Sequence, residues 1–267
     1  MIRIGCASWS IASRQAGLFG EGDSTLSRYA TRFSVVEVNS TFHRRHRPET
    51  FVRWAAAVPR TFRFSVKLPK TITHEARLMR SAPAIREFAR DIAGLGSKLG
   101  GVLVQLPPSL ALDARVAGAF FRNLRAAFEV PIACEPRHAS WFEPKADALW
   151  ERFDVARVAA DPPIAVDQDT PGRAGRWRYF RLHGAPRMYY SAYDDARLAT
   201  LASALLEHDR VRRRLRRIDV LRADSVTLGA DGGFKRLACC CDLLCVAALI
   251  GSLQAFPVFA WKLRVDR

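Results

Sequence analysis

The sequence predicts an α/β fold of the TIM type, a (β/α) barrel, and predicts that the barrel is incomplete. Three observations carry this expectation. Short apolar runs alternate with amphipathic helical stretches along most of the chain. Almost every apolar run ends in a polar or ionisable residue. No Gly-x-Gly-x-x-Gly turn follows the first run, as an open dinucleotide-binding sheet would require.

The elements follow in order. Residues 2–5 read as a strand and 25–32 as a short helix. Residues 35–39 form a second strand; 48–58 are helical, opened by Pro48, with Phe51, Trp54 and Ala55 at helical spacing. Residues 63–67 alternate as a strand and 84–95 are helical. The strand at 102–105 is stopped by Pro107 and Pro108. Residues 114–128 place Val116, Phe120, Phe121, Leu124 and Phe128 on one helical stripe. Strands at 132–135, 156–160 and 177–182 alternate with helices at 146–153 and 197–206. That makes seven recognisable strands, with the eighth lost or replaced.

Length and composition fit one such domain. The chain has 267 residues, 49% hydrophobic and 25% charged, enough to bury a sizeable core. The net charge of +16 favours phosphate-bearing partners, although arginine-rich composition alone gives the same surplus. The six cysteines match neither a disulfide framework nor a paired zinc motif. Cys6 and Cys134 sit in apolar runs, as free thiols of a reducing cytoplasm do. The N-terminus lacks the long apolar core of a signal peptide, so a cytoplasmic protein is expected.

The strand ends hold the candidate site. They supply Glu37 and Asn39, Lys67 with His74 beyond it, and Gln105. Glu135 follows, with Arg137, His138 and Trp141, then Asp161, then Arg181 and His183. Charged groups are rarely buried without partners, so their convergence on one rim says more than any single member.

Five segments carry a resemblance: Val-Glu-Val-Asn-Ser-Thr-Phe at 36–42, Phe-Ser-Val-Lys-Leu-Pro-Lys-Thr-Ile-Thr-His at 64–74, Val-Gln-Leu-Pro-Pro-Ser at 104–109, Glu-Pro-Arg-His-Ala-Ser-Trp-Phe at 135–142 and Tyr-Phe-Arg-Leu-His-Gly at 179–184. In order and spacing they resemble the YecE-like family, built on a domain of unknown function, over residues 1 to about 206. The resemblance implies a TIM-type barrel and no agreed activity or cofactor.

Most candidates have more than one reading. Glu37 and Glu135 suit general acid and base, metal ligation or a buried salt bridge. Lys67 suits anion binding, Schiff-base chemistry or an ion pair; His183 suits proton transfer or metal ligation. Arg137 and Arg181 suit bidentate grip on phosphate or carboxylate, or pairing with a barrel carboxylate. His74, His138 and His183 alike suit metal ligation, proton transfer or hydrogen bonding; no pair of these three has helical i, i+4 spacing. Asn39, Gln105 and Asp161 complete the ligand-binding set. Trp141, Tyr189, Tyr190 and Tyr193 suit ring stacking or loop packing. The cluster His43, Arg44, Arg45, His46 and Arg47 suits phosphate attraction or a solvated loop.

The expected function is therefore binding of a small anion at the rim, with acid–base chemistry by Glu37 and Glu135. The alternatives are a metal-assisted sugar isomerase-like or hydrolase-like enzyme using Glu135, Asp161 and histidines, and a non-catalytic nucleic-acid-binding module. A membrane partner is not expected.

The last part of the chain departs from this pattern. Residues 211–217 read Val-Arg-Arg-Arg-Leu-Arg-Arg, followed by Cys239, Cys240 and Cys241 and an uncharged run at 243–261. Back-translating 211–217 with CGN arginine codons and shifting by one base permits Cys-Val-Val-Val-Phe-Asp, a buried strand ending in Asp. The segment from 207 to 267 is thus expected to be out of frame and poorly packed.

Overall fold

A computed structural model describes residues 3–163, 171–172, 177–184, 190–212, 219–222, 225–228 and 234–237. Helix α1 (Thr25–Tyr29) precedes strand β1 (Val35–Val38), followed by α2 (Ser40–His43) and α3 (Pro48–Ala56). Then come β2 (Arg63–Lys67), α4 (Ala82–Ile92), β3 (Leu99–Gln105), α5 (Ala114–Ala127), β4 (Ile132–Glu135) and α6 (Pro144–Arg152). Strands β5 (Val155–Arg157), β6 (Ala159–Asp161) and β7 (Tyr179–Leu182) lead to α7 (Asp195–Arg212). Strand β8 (Asp219–Arg222) and the antiparallel pair β9 (Ser225–Leu228) and β10 (Phe234–Leu237) follow.

The parallel strands form two sheets, β1-β2-β3-β4-β5 and β6-β7-β8. Parallel sheets need helices over them, because crossovers put helices on the faces. Local chemistry starts those helices where the sequence places them. Ser24 and Ser27 make a reciprocal capping box on α1, and the Asp113 carboxylate accepts from the backbone N–H groups of Arg115 and Val116 at the start of α5. Proline opens α3 and α6, where its missing N–H costs nothing.

Strand alternation then sorts the side chains. Val36, Val38, Phe64, Val66, Val102, Val104, Ile132, Cys134 and Val155 point outward into the apolar core shared with the helices. The opposite face, defined by the register Glu37↔Ser65, Ser65↔Gly101, Lys67↔Leu103 and Gln105↔Glu135, is polar toward its C-terminal end. Gly101 is required there: a Cβ would stand 2.7 Å from the Trp177 ring.

Three differences from the sequence reading have physical causes. Of the strand expected at 2–5, the described residues 3–5 are not a regular strand; Arg3 and the residues after it run beside β1, where the Glu37 N–H donates to the Cys6 carbonyl at 2.9 Å. Gly5 lies so close to Val35 that a Cβ would sit 2.0 Å from its carbonyl oxygen. The single strand expected at 156–160 is divided at Val158, whose N–H still donates to the Cys134 carbonyl at 2.8 Å. Finally, the edge where the eighth strand is expected to be lost or replaced holds β8, parallel to β7. Its sequence, Asp-Val-Leu-Arg, has only two apolar residues and gives a weak strand signal. Helix α7 also runs through the boundary expected near 206, which accords with the good helix propensity of arginine.

Cys6 and Cys134 are buried, and neither is in a disulfide among the described residues. The remaining cysteines, Tyr189 and the uncharged run at 243–261 lie outside the described residues. Among the described residues no helix is long and apolar enough to cross a membrane.

Candidate functional site

On the inner face, strands from both sheets bring their charged residues into direct contact. Arg181 of β7 is 1% exposed and sits between two carboxylates. Its Nη2 donates to Glu37 Oε1 at 2.9 Å and its Nε to Glu37 Oε2 at 3.2 Å, while its Nη1 donates to Glu135 Oε2. Glu135 also accepts from Gln105 Nε2 at 3.2 Å and from Arg137 Nε at 2.8 Å. Arg137 stands at the outer edge of this network, with its side chain 23% exposed.

Two members were not singled out from the sequence. The Tyr179 hydroxyl donates to Glu37 Oε2 at 2.8 Å and accepts from Ser65 Oγ at 2.9 Å. The available signal was spacing: Tyr179 and Arg181, like Ser65 and Lys67, are two apart on a strand and share a face. Phe42 was missed as well. The Lys67 ammonium lies 4.0 Å from its ring centroid, and the His74 ring meets its edge at 4.9 Å.

The electrostatics divide fixed charges from neutral groups. Burial alone would raise the Glu135 carboxyl, but Arg181 and Arg137 beside it hold it well below the usual carboxylate range. It is a permanent anion at neutral pH. His183 is 1% exposed, and its backbone N–H donates to the Asp161 carbonyl at 2.7 Å. Burial, then the Arg181 charge, lowers its pKa from 6.5 to about 3, so the ring is neutral. His74 is shifted down by burial and by Lys67 and Arg137. Glu135 and His183 are therefore poorly matched to proton transfer near pH 7.

The other expected residues lie around or below this cluster. Asp161 pairs with Arg197 of α7, Oδ2 to Nη2 at 3.3 Å. Tyr193 is buried; its hydroxyl accepts from the Gly184 N–H at 2.9 Å and donates to the Asp161 carbonyl at 3.3 Å. Asn39 follows Glu37 at the strand end, and its amide nitrogen and oxygen are buried without a hydrogen-bond partner. His138 Nδ1 accepts from the Ser140 N–H at 3.2 Å, a local cap that orders the turn after β4. Trp141 stands apart in the core, stacked on Trp150, with its indole N–H donated to the Leu110 carbonyl at 2.8 Å. Tyr190 is exposed. In the basic loop, Arg45 is tied to Asp91 and Glu87, while Arg44 and Arg47 are exposed. Among the described residues, no three of His, Cys, Asp and Glu converge as metal ligands would.

Comparison with known proteins agrees with this architecture. The family model described as "Protein of unknown function DUF72" matches residues 3–223, a span that runs past 206 and includes β8. The UPF0759 protein YecE of Escherichia coli K12 is 30% identical over 143 residues, 53% of this chain and 50% of that protein. The match thus spans about half the length of that curated relative. A DUF72 family protein of Enterococcus faecalis superposes with a TM-score of 0.63 at 24% identity, over 83% of this chain and 87% of that one. One from Thermotoga maritima gives 0.57 at 23% identity, over 71% and 77%. With its family match covering both sheets and the strand ends that hold the charged cluster, the chain belongs to the DUF72 family of proteins.

Proposed function

We propose that this protein binds a small anion, phosphate- or carboxylate-bearing, at the C-terminal ends of its parallel strands. The observation that carries the reading is the composition of the buried cluster. Arg181 bonds Glu37 and Glu135, Arg137 bonds Glu135, and the Lys67 ammonium lies over the Phe42 ring, so three cations gather at the strand ends where strands from both sheets meet. Arginine and lysine donors grouped at strand ends suit a phosphate or carboxylate, and Arg137, with its side chain 23% exposed, is reachable from outside. The buried amide of Asn39, two residues beyond Glu37, adds a polar group whose partner a ligand would provide.

The two arginines then have different tasks. Arg181 is held by both carboxylates and acts as a positioning residue. Arg137, at the outer edge, and Lys67 meet the ligand. Calorimetric titration of inorganic phosphate and sulfate into the full chain tests this. Arg137→Ala is expected to weaken phosphate at least about tenfold, the effect of losing one charge-assisted contact, and Arg137→Lys less. Equal binding by the parent, Arg137→Ala and Lys67→Met would remove the anion reading.

We also propose that the two sheets form one closed TIM-type barrel. The support is that Arg3 and its neighbours flank β1 and β8 flanks β7, while Tyr179 and Arg181 reach Ser65, Glu37 and Glu135 across the interior. Closure would pair β8 with the segment that begins at Arg3. Hydrogen exchange decides it: amides of both segments should be protected, and rapid exchange at both would leave the barrel open.

A further inference from the structure

Beside the ionic cluster, a cavity of about 240 Å³ opens between α2, α3 and α4. Its walls are Phe42, Phe51, Pro69, Ile72, Ala84 and Phe88. Phe51, Ile72 and Phe88 are themselves buried in the main core, so the walls are held from behind. The space is somewhat smaller than the roughly 300–1,000 Å³ usual for drug-sized ligands, which limits an occupant to a compact molecule.

The charges around the opening cancel. Arg45 is clamped on α4, with Nε 2.6 Å from Asp91 Oδ2, Nη2 2.7 Å from Asp91 Oδ1, and Nη1 on Glu87. Arg44 adds the second cation, giving two positive against two negative groups. His46 is bound to Ser40 Oγ at 2.8 Å, and burial lowers its pKa below 6.5, which leaves it neutral. An ion entering here would lose its hydration and meet no unmatched counter-charge. A neutral molecule loses little. Three phenyl rings in the walls suit an aromatic ring, which packs edge-to-face or offset against them.

We infer that this cavity is a second binding site, beside the ionic cluster and sharing its Phe42 wall with Lys67, for a compact neutral molecule carrying one aromatic ring. The polar rim offers His43 and Thr71 to a hydroxyl on such a ring. Neither the anion reading nor the cluster is needed for it.

Fluorophenol observed by fluorine NMR is a direct probe on the full chain. A saturable shift is expected with the parent and with Arg137→Ala, which lies outside the cavity. Ala84→Phe, which adds a ring from an α4 position lining the space, should weaken the probe at least tenfold while retaining cooperative melting. Should that variant fail to fold, Ala84→Leu removes less volume from the cavity and should weaken the probe in the same direction. No saturable shift with the parent, including because another part of the chain fills the space, would overturn the inference. So would equal binding by the parent and a folded Ala84 variant. Phosphate titrated separately reports on the ionic cluster, so the two readings fail independently.

Discussion

The two faces of the same strands obey different rules. On the outer face, Val36, Phe64, Val104 and Ile132 meet helices through dispersion and area burial, and each contributes nearly alone. On the inner face, Glu37, Glu135, Arg137, Arg181, Gln105 and Tyr179 are joined by directional bonds, and each depends on the others. An apolar face tolerates exchange of similar shapes. A buried ionic face tolerates almost none, because removing one partner strands another charge in a medium that cannot solvate it.

The sharpest way to break the contrast is Arg181→Met. It keeps length and apolar volume but leaves Glu37 and Glu135 facing each other without their shared cation. A loss of about 3–5 kcal/mol in denaturant unfolding is expected. Adding Glu37→Gln and Glu135→Gln should recover a substantial part of it, since the stranded charges are then gone. If Arg181→Met costs no more than an ordinary surface change, the cluster is not the unit described.

A second effect follows from His183, expected to reach a few kcal/mol in acid. Its native pKa of about 3 lies below the unfolded value of 6.5. Between these values the unfolded chain binds the proton and the native chain does not, so stability falls as pH falls through that window. Glu135 adds to the loss only below the ordinary carboxylate range, because its own pKa is depressed. His46 and His74 are shifted the same way but are less buried, so their share is smaller. Thermal melting from pH 7 to pH 5 should therefore drop for the parent and much less for His183→Asn. Parallel curves would show that the ring is not buried neutral.

The Arg137→Ala change should cost about 1–2 kcal/mol, since Glu135 keeps both Arg181 and Gln105 and the lost side chain is partly exposed. A cost equal to that of Arg181→Met would erase the division between positioning and ligand-facing arginines.

What the sequence made legible follows the same contrast. Outer-face patterning is local, so Phe120, Phe121 and Leu124 on one stripe were enough to place α5. Polar strand ends such as Glu37 and Glu135 marked the inner face without an alignment. The pairing did not show, because Arg181 meets Glu37 across 144 positions and nothing local encodes that approach. Trp141 looked like a rim residue by spacing, yet a hydrogen bond to Leu110 in the preceding loop draws it into the core. Strand β8 was hidden for the opposite reason: its pairing with β7 is structural, while its four residues and their arginine-rich approach carry almost no pattern. Resequencing the gene across residues 207–217 remains the direct check on the expected frame change there.

The smallest expected effect sharpens the comparison most. Ile132 of β4 is fully buried on the outer face, three residues from Glu135 on the inner one. Ile132→Val removes one methylene, at about 0.5–1.5 kcal/mol. Ile132 packs within the apolar core and Arg181 bonds carboxylates, so they share no partner. The double variant Ile132→Val with Arg181→Met should then equal the sum of the singles within about 0.5 kcal/mol. The pair Glu135→Gln with Arg181→Met, in contact, should depart from additivity by about 1–3 kcal/mol. Chemical denaturation of these variants measures both cycles. Coupling of Ile132 to Arg181 as strong as that of Glu135 would mean that the strand transmits strain between its faces and that the two are not independent.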